Sequence, residues 1–250
     1  MNNIFAVTKY ETLKIIRQPI VIFFGMVFPV AWTVMNAMMW GDAPNPKFDG
    51  KGTIEFMIPA FMFLIILVNG LSNIPLVLSK NIESNVIRRY ALTPLTKIQY
   101  IFGILLSNVL MVSFSSLVMI IVAKVGYRIS IPDISNMLLI FFIVIILSIG
   151  VASFGITLAC ICKGFQTTMA VSLLTYFLLL FITGASVPLP VLPDSMQKFS
   201  QYIPFTQMVN LLQDCWFSNI GDVVIPLVVS VCTVVVSIIL GFITFRWDNE

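Results

Sequence analysis

The sequence predicts an all-α, polytopic membrane protein: six transmembrane helices, an N-terminal interfacial helix, and re-entrant external helices before the last span. Two observations carry this. Of 250 residues, 59% are hydrophobic and only 10% charged, whereas soluble globular chains carry about 25% charged residues. The mean hydropathy of +1.02 agrees. The apolar residues also gather into six runs, each near the roughly 20 residues that cross a bilayer as a helix. A soluble domain of this size could not enclose so much apolar surface, but lipid solvates it directly.

In chain order, residues 3–17 mix apolar and basic side chains, with Phe5, Leu13 and Ile16 near one side of a helix. They form an interfacial helix on the inner leaflet or a plain tail. The first span, Ile20–Trp40, is too long for the roughly 7–15-residue core of a cleavable signal. The Gly- and Pro-bearing stretch 41–54 reads as an external loop. A second span follows at Phe56–Leu78. In residues 79–97, Ile82, Val86 and Tyr90 recur every four residues, predicting one short charged helix with an apolar edge, stopped at Thr93-Pro94. Further spans run over Ile98–Ala123, Met137–Cys160 and Thr167–Val187. Residues 188–221 are too apolar for a loop, yet Pro188, Pro190, Pro193 and Pro204 interrupt them. A broken helix pair dipping into the outer leaflet fits, with Phe205, Met208, Leu212 and Trp216 on one stripe after Pro204. Val223–Phe245 is the last span, and residues 1–250 form a single domain.

Charge sets the expected orientation. With both termini inside, nine cations fall on the inner side: Lys9, Lys14, Arg17, Lys80, Arg88, Arg89, Lys97, Lys163 and Arg246. Five fall outside: Lys47, Lys51, Lys124, Arg128 and Lys198. That is the asymmetry of the positive-inside rule. Seven acids, Asp42, Asp49, Glu55, Asp133, Asp194, Asp214 and Asp222, also fall outside.

Several functions are disfavoured. The chain has no histidine, and its four cysteines lie in apolar or membrane-edge sequence without CxxC spacing. No cluster of acids, bases or metal ligands suggests an enzyme. No basic patch suggests nucleic acid. Gly50-Lys51-Gly52 lacks the phosphate-loop pattern, so ATP hydrolysis is not expected in this chain. Buried mid-span acids, which an ion-driven carrier needs, are missing from the pattern. Uncharged polar residues do lie within the spans, among them Asn69, Asn73, Ser107, Asn108, Ser115, Ser116 and Thr175. They line a substrate route or bond helix to helix; Asn69, Asn73, Asn108 and Ser116 are the pathway candidates.

Three segments resemble the permease subunits of type-2 ABC exporters. They are Glu83-Ser84-Asn85-Val86-Ile87-Arg88-Arg89-Tyr90-Ala91-Leu92-Thr93-Pro94-Leu95, then Gly184-Ala185-Ser186-Val187-Pro188-Leu189-Pro190-Val191-Leu192-Pro193, then Tyr202-Ile203-Pro204-Phe205. Ser84-Asn85 stands where many members have Gly. The resemblance covers essentially the whole chain. It implies that the first inner loop is a coupling helix, with Ile82, Val86 and Tyr90 in a groove of a separate cytoplasmic ATPase and Glu83, Arg88 and Arg89 at its rim. ATP and magnesium would belong to that subunit, with no cofactor on this chain. Residues 3–17 would be an elbow helix, and Gly184, Pro188, Pro193 and Pro204 would shape a re-entrant cap. A second permease copy or a related permease would complete the pathway in a bacterial plasma membrane. The expected cargo is a hydrophobic or amphipathic solute moved outward. A non-transporting scaffold or sensor of the same fold is the alternative, with a secondary carrier behind it.

Overall fold

The computed structural model describes residues 2–40, 52–127, 129, 131–162, 164–218 and 223–245. Helix α1 (Asn2–Ile16) stops before Pro19, which forces the preceding Gln18 into an extended conformation (φ −102°, ψ 97°). Short α2 (Pro19–Ile22), a π-helical stretch Phe23–Val27 and α3 (Phe28–Trp40) build the first span. The second is one rod: α4 (Thr53–Leu67), a second π-helical stretch Val68–Asn73, and α5 (Ile74–Glu83). After the short α6 (Val86–Ala91), three spans follow as α7 (Lys97–Tyr127), α8 (Ile134–Ile161) and α9 (Phe165–Ile182). Then come α10 (Asp194–Gln201), α11 (Pro204–Phe217) and the last span, α12 (Val224–Thr244).

All six expected spans are present as helices long and apolar enough to cross a membrane. Most bounds move by four residues or fewer, and two move by five. The second span continues to Glu83 rather than ending at Leu78, and the fifth stops at Ile182 rather than Val187. Gly184 (φ +78°) explains the latter, because a left-handed residue ends a helix. Residues 41–51, most of the expected external loop, with Asp42, Lys47, Asp49 and Lys51, lie outside the described residues, as do Arg128, Lys163, Asp222 and Arg246.

Helix α4 is the centre of the bundle. Ile58, Phe61, Met62, Phe63, Ile65 and Ile66 are buried on every side of it, as a helix enclosed by others requires. It packs against α3, α7, α8, α9 and α11. The outer helices show the opposite pattern. On α7, Phe102, Leu106, Leu110, Phe114, Leu117 and Ile121 form an exposed stripe at helical spacing, a surface suited to lipid rather than water. Small residues permit close crossings: Gly150 faces Val234, Gly241 faces the Ser153 carbonyl, and Gly155 seats against the Gly70 carbonyl.

The bundle has two distinct ends. One gathers α1, the end of α5, α6, the start of α7 and the end of α12. There Lys97 Nζ donates to the Phe242 carbonyl at 2.6 Å and Lys14 Nζ to Asn81 Oδ1 at 2.9 Å. The other gathers the start of α4, the start of α8 and the end of α11. There the Phe56 and Phe217 rings stack at 6.0 Å, and Asn136 Nδ2 donates to Ser218 Oγ at 2.8 Å.

Helix α1 lies along α7. Ile4, Val7, Thr8, Glu11 and Ile15 face the protein, while Phe5, Leu13 and Ile16 are exposed. The helix is therefore inside-out by water-soluble standards: its most deeply buried side chains, Thr8 and Glu11, are polar and its outward stripe is greasy.

Candidate functional site

The segment after the second span departs from the expected single helix. Asn85 adopts a left-handed conformation (φ 55°), which Asn tolerates better than most residues, and so separates α5 from α6. Ile82 ends one helix while Val86 and Tyr90 lie on the next, so their regular spacing does not make one outward edge. Ile82 and Tyr90 instead pack against the chain's own core beside buried Ile87. The Tyr90 ring lies 5.4 Å from that of Tyr100, which lies 5.7 Å from that of Phe245, fastening α6 to α7 and to the end of α12. Burial above all, then Tyr10 and Glu11, pushes the Tyr90 phenol above its ordinary range.

The exposed side of this turn carries Glu83, Arg88, Arg89 and Leu92. Leu92 is 89% exposed. Thr93 Oγ1 donates to the Tyr90 carbonyl at 2.6 Å and closes α6. Thr96 and Gln99 then start α7 with a reciprocal capping box, Gln99 N to Thr96 Oγ1 at 3.3 Å and Thr96 N to Gln99 Oε1 at 3.1 Å. The sequence reading missed this T-x-x-Q signature.

Beside the turn, a small, partly open cavity of about 30 Å³ is walled by α1, α2, the second span and α7. Three of the four pathway candidates meet here: Asn69, Asn73 and Asn108. Ser116 does not line it. That residue is fully buried further along α7, and its Oγ has no hydrogen-bond partner among the described residues. The cavity also takes in Glu11, Asn81 and Ser107, of which only Ser107 stood in the polar set read from sequence.

The two π-helical stretches explain the asparagines. A π turn misaligns carbonyls from the regular α ladder, and these need other donors. Asn69 Nδ2 donates to the Gly25 carbonyl in the first π stretch at 3.2 Å and to the Ile65 carbonyl at 2.9 Å. Asn73 Nδ2 donates to Asn69 Oδ1 at 3.2 Å. On the facing wall, Asn108 Nδ2 donates to the Ser148 carbonyl at 3.4 Å. The amide nitrogens thus hold helices together, and the Asn73 and Asn108 oxygens remain as acceptors.

Glu11 is 4% exposed. Its Oε2 lies 3.9 Å from Lys14 Nζ, while Oε1 has no hydrogen-bond partner among the described residues. Burial raises its carboxyl above the ordinary value of 4.5, and Lys14 partly opposes that shift.

At the far end, Gly184 turns the chain, Pro188 is buried, Pro193 precedes α10 and Pro204 is the first residue of α11. Met208, Leu212 and Trp216 are buried along α11 as their stripe predicted, and Phe205 meets Phe154 at 5.7 Å. Helix α10 lies at the surface with Phe199 and Tyr202 exposed. Among the described residues no group of three or more His, Cys, Asp or Glu could hold a metal.

The family model described as ABC-2 type transporter matches residues 2–217. The ycf38 protein of Cyanophora paradoxa, which carries the name of a transport permease, is 24% identical over 214 residues, covering 84% of this chain and 72% of its own length. With that model covering most of the chain and six helices long and apolar enough to cross a membrane, the chain belongs to the ABC-2 type transporter family, as a multi-pass membrane permease.

Proposed function

We propose that the chain is the membrane half of an exporter that moves a hydrophobic or amphipathic solute outward, powered by ATP bound with magnesium on a separate cytoplasmic ATPase. Both termini then lie in the cytoplasm, and two permease copies, or this chain and a related permease, enclose the route. The reading is supported above all by the exposed turn carrying Glu83, Arg88, Arg89 and Leu92. An 89% exposed leucine beside two arginines, on a helix anchored to α7 and α12 through Tyr90, suits a docking knob on a stiff lever. Ile82 and Tyr90 are assigned to the anchor and Arg88, Arg89 and Leu92 to the contact.

Co-purification tests the assignment. Arg88→Glu with Arg89→Glu, and separately Leu92→Asp, should each cut recovery of the ATPase while leaving the permease folded. Burying Leu92 in a groove is worth about 1.5–3 kcal/mol, roughly ten- to a hundredfold in affinity. Undiminished recovery from both variants removes the docking surface. Normal recovery without ATP-dependent efflux from inside-out vesicles favours the scaffold reading instead.

A further inference from the structure

The cavity between α1, α2, the second span and α7 has more chemistry than a gap between helices needs. Its walls hold a carboxylate, three asparagines of the second span, Asn108 and Ser107, set among apolar side chains such as Ile15, Val77 and Met111. Glu11 is more than nine-tenths buried, and Oε1 accepts nothing among the described residues. A buried acceptor without a partner is costly, and for a carboxylate more so. Asn69, Asn73 and Asn108 turn their nitrogens toward carbonyls or one another, which leaves the Asn73 and Asn108 oxygens as acceptors, while Asn81 Oδ1 accepts from Lys14. The open polar positions are therefore acceptors: Glu11 Oε1, whose fellow oxygen has Lys14 only at 3.9 Å, and the amide oxygens of Asn73 and Asn108.

That pattern selects among ligands. An anion would meet a carboxylate. A divalent metal would need several more charged or rigid oxygen ligands than a single carboxylate supplies. A plain hydrocarbon would leave the acceptors unpaired. An ammonium group has three donors and a charge, and the apolar wall receives the chain attached to it. We propose that this cavity binds the primary ammonium head of an amphiphile, with Glu11 as its counter-ion and the amide oxygens of Asn73 and Asn108 as further acceptors. The assignment deepens the proposed exporter function, naming the solute class of the cavity, and rests on that reading for the statement that the ligand is cargo.

The ammonium could belong to a free amphiphilic amine or to the head of phosphatidylethanolamine. Purified permease in phosphatidylcholine nanodiscs is titrated with n-decylamine, n-decanol and decyltrimethylammonium, correcting for protein-free discs. Decylamine should bind at least tenfold tighter than the other two, because the alcohol lacks the charge and the quaternary head lacks the donors. Glu11→Gln should abolish that tenfold preference, and Glu11→Asp, which keeps the charge, should retain most of it. Adding phosphatidylethanolamine to the discs should weaken decylamine binding if the lipid is the native occupant, and leave it unchanged if a free amine is. Equal binding of the amine and the alcohol, or an undiminished preference in Glu11→Gln, overturns the site. Neither ATPase nor transport enters this measurement, so its failure leaves the exporter reading standing. Amine binding without ATPase association would remove the exporter reading and leave the site.

Discussion

Gly155→Ala tests the packing that positions the cavity. A Cβ at Gly155 would overlap the Gly70 carbonyl oxygen and lie 3.1 Å from the Gly70 carbonyl carbon and 3.2 Å from Pro75 Cγ. The first two atoms are main chain and cannot swing aside as a flexible side chain can. Overpacking of a close-packed interior costs about 1–3 kcal/mol, and backbone obstruction belongs at the upper end. Alanine's helix propensity returns up to about 1 kcal/mol. The net is about 2 kcal/mol against the variant, roughly a thirtyfold shift in the folding equilibrium. Gly126→Ala on α7 is the counterpart, since a Cβ there meets nothing within 4 Å and the same chemical change should be neutral or slightly stabilising. Reversible unfolding in mixed micelles, followed by circular dichroism or steric trapping, compares the two. Equal stability of both variants, or a more stable Gly155→Ala, would refute the close crossing of α8 over the second π stretch.

Other substitutions probe the remaining contacts. Glu11→Gln should stabilise the protein at pH 7–8 relative to wild type and lose that advantage near pH 4. The folded carboxyl is held above 4.5, so the penalty for ionising it appears as pH rises and vanishes once it is protonated in both folded and unfolded states; melting temperatures at the two pH values read it. Tyr90→Ala should cost about 2 kcal/mol of stability, being half-buried against Tyr100, whereas Arg88→Glu with Arg89→Glu should leave the melting temperature within a degree or so. Lys97→Met removes a charge-assisted bond to the Phe242 carbonyl and should cost about 1–2 kcal/mol, seen as faster amide exchange over residues 240–245.

The spans were legible because a bilayer imposes a length and a solvent that composition records directly. The helix after Pro204 was legible too: Pro204 opens α11, and the stripe Met208, Leu212 and Trp216 is buried where its spacing places it. The turn at Ser84-Asn85 was not. Ile82, Val86 and Tyr90 keep a spacing of four residues whether or not the helix breaks between them, so periodicity alone hides one left-handed residue. Helix α1 and its apolar side were legible, since Phe5, Leu13 and Ile16 are exposed together as a helix laid against lipid requires, but their spacing is silent on the opposite, protein-facing side. In lipid the apolar stripe need not be the buried one, and this put Glu11 out of sight. Asn69, Asn73 and Asn108 were found as polar residues inside spans. Their meeting in one cavity required the third dimension, as did the exclusion of Ser116.

A π turn holds one residue more than an α turn, and one residue is about 100° of rotation about the axis. The π stretch Val68–Asn73 therefore swings everything beyond it by about that angle relative to an unbroken helix. A wheel drawn through the rod at constant pitch would set Asn81 on the wrong flank, away from Asn69. The inserted residue is what aligns both asparagines on one wall. Inserting a single residue between Asn73 and Asn81, with the π stretch kept, would preserve the span yet turn Asn81 and its bond to Lys14 about 100° out of the chamber.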